Sequence, residues 1–250
     1  MQNRTIGRRR PAAVVAGGLA LLAAPFAAYV ATTWYSYGRP RRSAGVASGS
    51  ALIERFMPIA EVSESHQIDV QAPASFTFDA ARDMDVNRSS VVRAIFAIRT
   101  LPTRLRGRVS RPSPAPLLAQ TLSLGWRILA QSDHEVVVGA VTQPWRAEVR
   151  FRGVEPDAFA GFDEPGYAKI AWTLEVEPLG EAASRFRTRT RVATTDPESR
   201  ARFRRYWAVF SPGILLIRRE SLKLVKAEAE RRFRAATSRA ATSRPELPRA

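Results

Sequence analysis

The chain has 250 residues, of which 45% are hydrophobic and 25% charged, so it suits one folded domain with extensions and is not globally disordered. It has no cysteine and two histidines, which excludes disulfides, thiolate nucleophiles and cysteine- or histidine-rich metal sites, and we expect no metal and no cofactor. The net charge of +16 is concentrated at the two ends, so we expect no nucleic-acid partner, and anionic lipid fits better.

The first element is an uncharged run from Ala12 to Tyr35 with arginines on both sides. As a helix it would be about 36 Å long, enough to cross a bilayer. A cleaved signal peptide is one alternative, but small residues are poorly placed for cleavage; a buried helix of a soluble domain is the other. We predict a single-pass signal anchor that ties the chain to the membrane. The slight excess of arginine before the run places the domain outside the cytoplasm.

Three helices and one strand are predicted next. Residues 51–59 have the pattern of a short helix, and residues 61–71 alternate between polar and apolar side chains, as in a strand with one buried face. Helical spacing then covers residues 74–82 and 89–98. Residues 100–116 contain four prolines and four arginines and are expected to form an irregular, mobile loop.

The second half of the chain predicts five more strands and a long helix. One or two helical turns are expected over 117–124, and the strands over 126–130, 136–141, 146–151, 168–177 and 184–192. Asp196 and Pro197 are favourable residues for the start of the final helix, which extends to Arg232. We expect Ser211, Pro212 and Gly213 to break or kink it.

The order of these elements, together with four sequence segments, resembles the SRPBCC superfamily. The segments are residues 72–78 with 83–85, 125–129 leading into 136–141, 162–169 ahead of Trp172, and 202–207 with 211–213 and 217–219. This superfamily includes START lipid-transfer domains, the birch-pollen allergen and the polyketide cyclases and dehydrases. The resemblance implies an α+β helix-grip fold, in which a curved antiparallel sheet of about six strands wraps around a long C-terminal helix. Here a single N-terminal transmembrane helix would precede that fold.

The chain therefore divides into five parts, with one folded domain between two basic ends. The predicted divisions are a basic N-terminus over 1–11, a transmembrane anchor over 12–35, a linker with a short helix over 36–60, the SRPBCC/START-like domain over 61–234 and a disordered basic tail over 235–250.

Two groups of residues are candidates for chemistry. His66 shares its strand face with Glu64 and could act as a general acid or base, and Asp83 with Asp85 could do acid–base work. For both we favour a structural role, solvation for the first and a helix cap or turn for the second. No residue set has the spacing of a metal site. The candidate ligand-binding residues are His66, Trp126, Tyr167, Trp172, Phe186 and Trp207.

The alternating arginines of the last predicted strand form a separate feature. Arg185, Arg187, Arg189 and Arg191 share the face opposite to the apolar residues. Pairing with Glu175 and Glu177 on the adjacent strand is the simpler interpretation, because unpaired like charges destabilise a sheet. Contact with anionic lipid or with a protein partner is the alternative.

Three functions remain open. The first is a membrane-tethered protein that binds a lipid or an isoprenoid-like molecule between the sheet and the C-terminal helix. The second is a cyclase or dehydratase that uses His66. The predicted cavity has few polar residues, so an enzyme is the less favoured hypothesis. The third is a non-catalytic interaction module whose contact face is the arginine stripe.

Overall fold

The computed structural model describes residues 25, 27–34, 41–42, 51–94 and 115–242. They form eight labelled strands and five labelled helices. The strands are β1 Arg41–Arg42, β2 Ile59–Ala60, β3 Val62–Val70, β4 Arg127–Gln131, β5 Glu135–Thr142, β6 Phe151–Arg152, β7 Ala168–Pro178 and β8 Ser184–Thr194. The helices are α1 Ala51–Phe56, α2 Ala74–Arg82, α3 Leu117–Ser123, α4 Pro156–Phe159 and α5 Pro197–Thr242. A 3₁₀ turn covers Val86–Arg88, and residues 90–94 are helical.

Six of the strands form one antiparallel sheet. Its order is β3-β8-β7-β5-β4, with β6 paired to one end of β5, so the first strand of the sheet lies beside the last. Helix α5 packs across one face, where it contacts β3, β8 and α2. This arrangement is the helix grip. The predicted α+β class, the six-stranded antiparallel sheet and the long C-terminal helix are therefore confirmed for the described residues.

Strand β5 is buried on both sides. Val136 and Val138 belong to the apolar cluster that packs under α5, whereas Val137 and Val141 belong to a second cluster with α1 and α4 on the opposite face. The sheet thus has a covered back, which explains why β5 is a continuous apolar run rather than an alternating one.

Helix α5 begins at a capped end. The Asp196 carboxylate accepts hydrogen bonds from the backbone N–H of Ser199 at 2.8 Å and of Gly166 at 2.6 Å, which ties the start of the helix to the loop before β7. The Ser199 hydroxyl also donates to this carboxylate, at 2.6 Å. This bond, together with the two backbone bonds, favours the ionised form and holds the pKa of Asp196 well below its ordinary value. The cap fixes the helix over the sheet.

The sequence predicts a break or a kink at Pro212. Helix α5 is not broken there. Pro212 removes one helical hydrogen bond. Packing holds the helix on both sides of it, through Phe203 and Trp207 before and Leu222 and Val225 after. The helix also continues to Thr242, so residues 235–242, expected in a tail, are helical.

The prediction of a strand over residues 146–151 is wrong. In this part of the chain only β6, Phe151–Arg152, pairs with β5. Turns and bends occupy 144–148. Ala147, Val149 and Phe151 nevertheless all line the cavity between the sheet and α5. Their alternation therefore reflects a loop with one face toward a cavity, not a strand.

Most of the predicted membrane anchor over 12–35 lies outside the described residues. Its described part, residues 27–34, is helical and contacts α5: the hydroxyl of Tyr29 lies 3.0 Å from Oγ of Ser211, and the guanidinium of Arg204 lies 4.5 Å from the ring centroid of Trp34. Among the helices of the described residues, none combines the length and the apolar character that crossing a bilayer requires. Residues 100–114 of the expected irregular loop lie outside the described residues. Residues 243–250, the end of the expected tail, also lie outside them.

Candidate functional site

A cavity of about 630 Å³ lies between the sheet and α5. Its floor comes from β7 and β8, its roof from α5, and its rim from α3 and the loop that precedes β6. The apolar residues of the lining include Leu124, Trp126, Phe151, Ile170, Trp172, Phe186, Phe203, Trp207, Ile214 and Ile217. The lining reaches Leu124, which is 60% exposed, so the cavity opens to the surface beside this residue.

Aromatic rings form two of the walls. Trp126 packs against Phe151 at 5.1 Å and against Trp172 at 6.4 Å between ring centroids. On α5, Phe203 stacks on Trp207 at 5.8 Å. Contacts of this kind stabilise the rings in fixed positions. The cavity is therefore held open by packed side chains, as in a preformed binding site.

The polar lining is sparse. Thr188 and Thr190 on β8 face the cavity between Phe186 and Val192, and Thr121 and Ser221 contribute from α3 and α5. Thr121 and Ser221 donate their hydroxyl hydrogens to backbone carbonyls of their own helices, at 2.7 and 2.9 Å. These two hydroxyls therefore have acceptor capacity left for a ligand, but their donors are already used.

Arg218 is the one charged side chain among the described residues that line the cavity. Within the described part of the chain, its buried Nη1 has no hydrogen-bond partner. Burial lowers the pKa of Arg218 to about 10, and the attraction of Glu64 opposes this shift only in part. At neutral pH the group is still cationic. The cavity thus contains a guanidinium whose charge and donors are incompletely compensated.

His66 lies on β3, directly opposite Thr188 on β8, and is not among the described residues that line the cavity. Its Nδ1 is buried without a hydrogen-bond partner in the described structure. Burial is the largest cause of a lowered pKa for His66, followed by the positive charge of Arg218. The imidazole is therefore neutral at neutral pH and is a poor general acid.

The other sequence-predicted site residues fall into two groups. Trp126, Trp172, Phe186 and Trp207 line the cavity. Tyr167 does not: its ring packs on Phe162 and lies 4.8 Å from the guanidinium of Arg152.

Asp83 is also away from the cavity, and its carboxylate accepts a 2.9 Å hydrogen bond from Arg232. A carboxylate that pairs with an arginine of α5 fixes the end of α2 against that helix. Asp85 caps the following 3₁₀ turn by accepting from the N–H of Asn87. Both acids thus make contacts within the fold, and neither is among the described residues that line the cavity.

The arginine stripe is paired on the back of the sheet. Arg187 bonds Glu175 at 2.8 Å, Arg185 bonds Asp69 at 2.7 Å, and Arg191 donates to the carbonyl of Met57 at 2.6 Å. Helix α1 adds Glu54 as a second partner of Arg191. The stripe is therefore structural, and the contact face of the interaction-module hypothesis is already occupied by the protein's own groups.

Sequence reasoning missed Arg218 and the threonines of β8. Ile214, Ile217, Arg218 and Ser221 follow the i, i+3, i+4, i+7 spacing of one helix face. This spacing places Arg218 on the buried stripe of α5, so it could have identified Arg218 as a cavity residue from the sequence. For Thr188 and Thr190, the shared face with Phe186 was the signal, since alternate residues of a strand share a face.

No family model and no curated protein matches the chain. Three solved structures with a similar arrangement are the aromatase/cyclase Zhui from Streptomyces sp. R1128, a conserved protein from Geobacillus kaustophilus and a START superfamily protein from Mycobacterium smegmatis. Their identities to this chain are 16%, 8% and 12%, and their TM-scores are 0.29, 0.33 and 0.25. The matches cover 70%, 68% and 70% of this chain and 97%, 96% and 98% of the other chains. Because these scores are low, the assignment of the helix grip depends on the sheet order and the position of α5.

Proposed function

We propose that this protein binds a small hydrophobic molecule, of lipid or isoprenoid-like class, in the cavity between the sheet and α5. The observation that carries the proposal is the size and lining of that cavity: about 630 Å³, with walls of packed aromatic and aliphatic side chains. This volume lies within the range of ligand sites, which are typically apolar with a few polar groups for orientation.

An unfilled interior of this size is a cost to folding, because the lining atoms lose van der Waals contacts and the core gains nothing in return. A protein that served only as an interaction module would be expected to fill it. The open end at Leu124 provides a route for a ligand to enter. These two features favour a binding function over the interaction-module hypothesis.

The enzyme hypothesis receives less support. The neutral His66 is not among the described residues that line the cavity, and Asp83 is paired with Arg232. General acid–base catalysis needs a titratable group within hydrogen-bond reach of the substrate. We therefore favour a carrier or sensor without turnover.

Tethering to a membrane is the second part of the proposal. Its support is the uncharged run of residues 12–35 and the flanking arginines. A tether would raise the concentration of the domain near lipid, which suits a ligand that partitions into bilayers. Fractionation of expressing cells tests it: the full chain should remain with membranes after a carbonate wash, and release into the supernatant would contradict a spanning anchor.

Native mass spectrometry of the full chain, released from a non-ionic detergent, tests the binding proposal. We expect a co-purifying molecule at one per protein, or one-to-one uptake of added ω-bromododecanol. A protein that carries nothing and takes up no hydrophobic compound from a panel of fatty alcohols and isoprenols would contradict it.

A further inference from the structure

The cavity contains an electrostatic feature that an apolar ligand alone would not use. Arg218 is located on α5, one helical turn after Ile214 and one before Ser221, so its side chain joins the stripe that faces the sheet. Its Nη1 is buried and lacks a hydrogen-bond partner in the described structure. A buried donor without an acceptor costs free energy, and a charged one costs more.

Within the described residues, the groups around Arg218 leave this cost uncompensated. Glu64 attracts the guanidinium from β3 but leaves Nη1 without an acceptor. His66, beside Glu64 on the same strand face, is neutral at neutral pH and brings no negative charge. The other polar groups of the described lining are uncharged: hydroxyls of threonine, serine and tyrosine, and indole N–H groups of tryptophan. The described residues therefore leave this donor available to an acceptor that a ligand would bring.

We propose that Arg218 binds the carboxylate head group of an amphipathic ligand, whose hydrocarbon part fills the aromatic end of the cavity. This inference depends on the proposed function and adds the ligand class, a long-chain carboxylic acid.

Three considerations support a carboxylate. A guanidinium forms short, charge-assisted and often bidentate hydrogen bonds with it, which supply both the missing acceptor and the missing charge. Burial lowers the pKa of Arg218 more than the negative charge of Glu64 raises it. The guanidinium therefore lacks a full counter-charge until an anion binds. A phosphate monoester carries a larger charge and more acceptors than a single guanidinium can satisfy.

The experiment compares ω-bromododecanoic acid with ω-bromododecanol, which share one chain and differ in the head group. Bromine quenches tryptophan fluorescence at short range, and Trp126, Trp172 and Trp207 all line the cavity. The full chain is titrated with each compound at one fixed concentration of non-ionic detergent. Because partition into micelles is the same for every variant, the acid-to-alcohol preference can be compared between proteins. Dodecyl phosphate and dodecanoate, compared as competitors, distinguish a phosphate site from a carboxylate site.

Four proteins are compared: the natural chain, Arg218→Met, Arg218→Lys and the matched control Arg219→Met. Arg219 is the exposed neighbour of Arg218 on the same helix. A charge-assisted hydrogen bond corresponds to roughly tenfold to hundredfold in affinity. We expect the acid-to-alcohol preference to fall by about that factor in Arg218→Met, to persist in Arg219→Met and to be partly retained in Arg218→Lys. Alcohol binding should change little.

Each result has a distinct meaning. If the alcohol binds and the preference for the acid is the same in the natural chain and Arg218→Met, the head-group inference is wrong and the proposed function stands. Stronger displacement by dodecyl phosphate than by dodecanoate would also overturn the carboxylate assignment. If neither bromo compound quenches any of the proteins, the proposed function itself fails, and the inference fails with it.

Discussion

Arg187 on β8 bonds Glu175 on β7 across the back of the sheet, with 2.8 Å between Nη1 and Oε1. Both side chains are nearly enclosed, at 7% and 11% exposed. Arg189 approaches the other oxygen of the same carboxylate at 3.5 Å. One acid thus holds two arginines of the stripe in the fold, which is why a row of like charges is tolerated in this strand.

Loss of Glu175 should therefore destabilise the fold strongly. Glu175→Ala leaves two nearly buried guanidinium groups without this partner, and we expect a decrease of about 3 kcal/mol in the free energy of unfolding. The control is Glu177→Ala, since Glu177 also pairs with Arg187 but is 49% exposed; its loss should cost less than about 1 kcal/mol. Urea denaturation of both variants measures the two losses in the free energy of unfolding. Equal losses would contradict a structural role specific to Glu175.

Gly139 allows the back of the sheet to close. A Cβ atom there would lie 2.5 Å from Cδ1 of Leu129 and 2.9 Å from the ring of Phe159, and both side chains are buried. We expect Gly139→Ala to reduce the free energy of unfolding by about 1–3 kcal/mol through overpacking. Gly161→Ala is the matched control, because no atom lies within 4 Å of its added Cβ. A thermal melt in which Gly139→Ala equals the natural chain would show that α4 packs elsewhere.

His66 should make stability depend on pH. Its pKa in the folded chain lies below the ordinary value of 6.5, mainly through burial, so the unfolded chain takes up the proton first. The contribution of His66 to stability is therefore fully present above its pKa in the unfolded chain. It is lost as the pH falls from there toward its pKa in the folded chain. We expect His66→Gln to lose less stability than the natural chain between pH 7.5 and 5.5. Urea titrations at the two pH values measure this, and parallel losses would indicate a solvated imidazole.

Arg218 should lower the stability of the empty protein. Arg218→Met removes a buried donor that has no partner and keeps an apolar side chain of similar length, so we expect the free energy of unfolding to rise by about 1–2 kcal/mol. Arg219→Met should stay within about 0.5 kcal/mol of the natural chain. A ligand-free preparation is required, because a bound acid would stabilise only the protein with Arg218. Destabilisation by Arg218→Met would mean that the guanidinium has structural partners.

The sequence predicted the strands β3, β7 and β8 and the start of α5 well, because each has one buried face or a clear cap. It predicted a strand at 146–151 where a loop lines the cavity, since alternation reports which face is buried and not the hydrogen-bond pairing. Four of the six proposed ligand contacts line the cavity, and these are large aromatic or apolar residues on the buried face. Tyr167 lies outside it because this residue precedes β7 and its ring packs against Phe162. Arg218 was missed because a charged residue on a helix is ordinarily solvated.

The most direct test of ligand binding is to fill the cavity. Ile217 lines it from α5, and Leu216 beside it is 42% exposed. We expect Ile217→Trp to abolish one-to-one binding of ω-bromododecanol in native mass spectra of the full chain, because the indole occupies the space of the ligand. Leu216→Trp adds the same side chain outside the cavity and should bind as the natural chain does. If Ile217→Trp folds and still carries the ligand at one per protein, the ligand binds elsewhere and the central claim is contradicted.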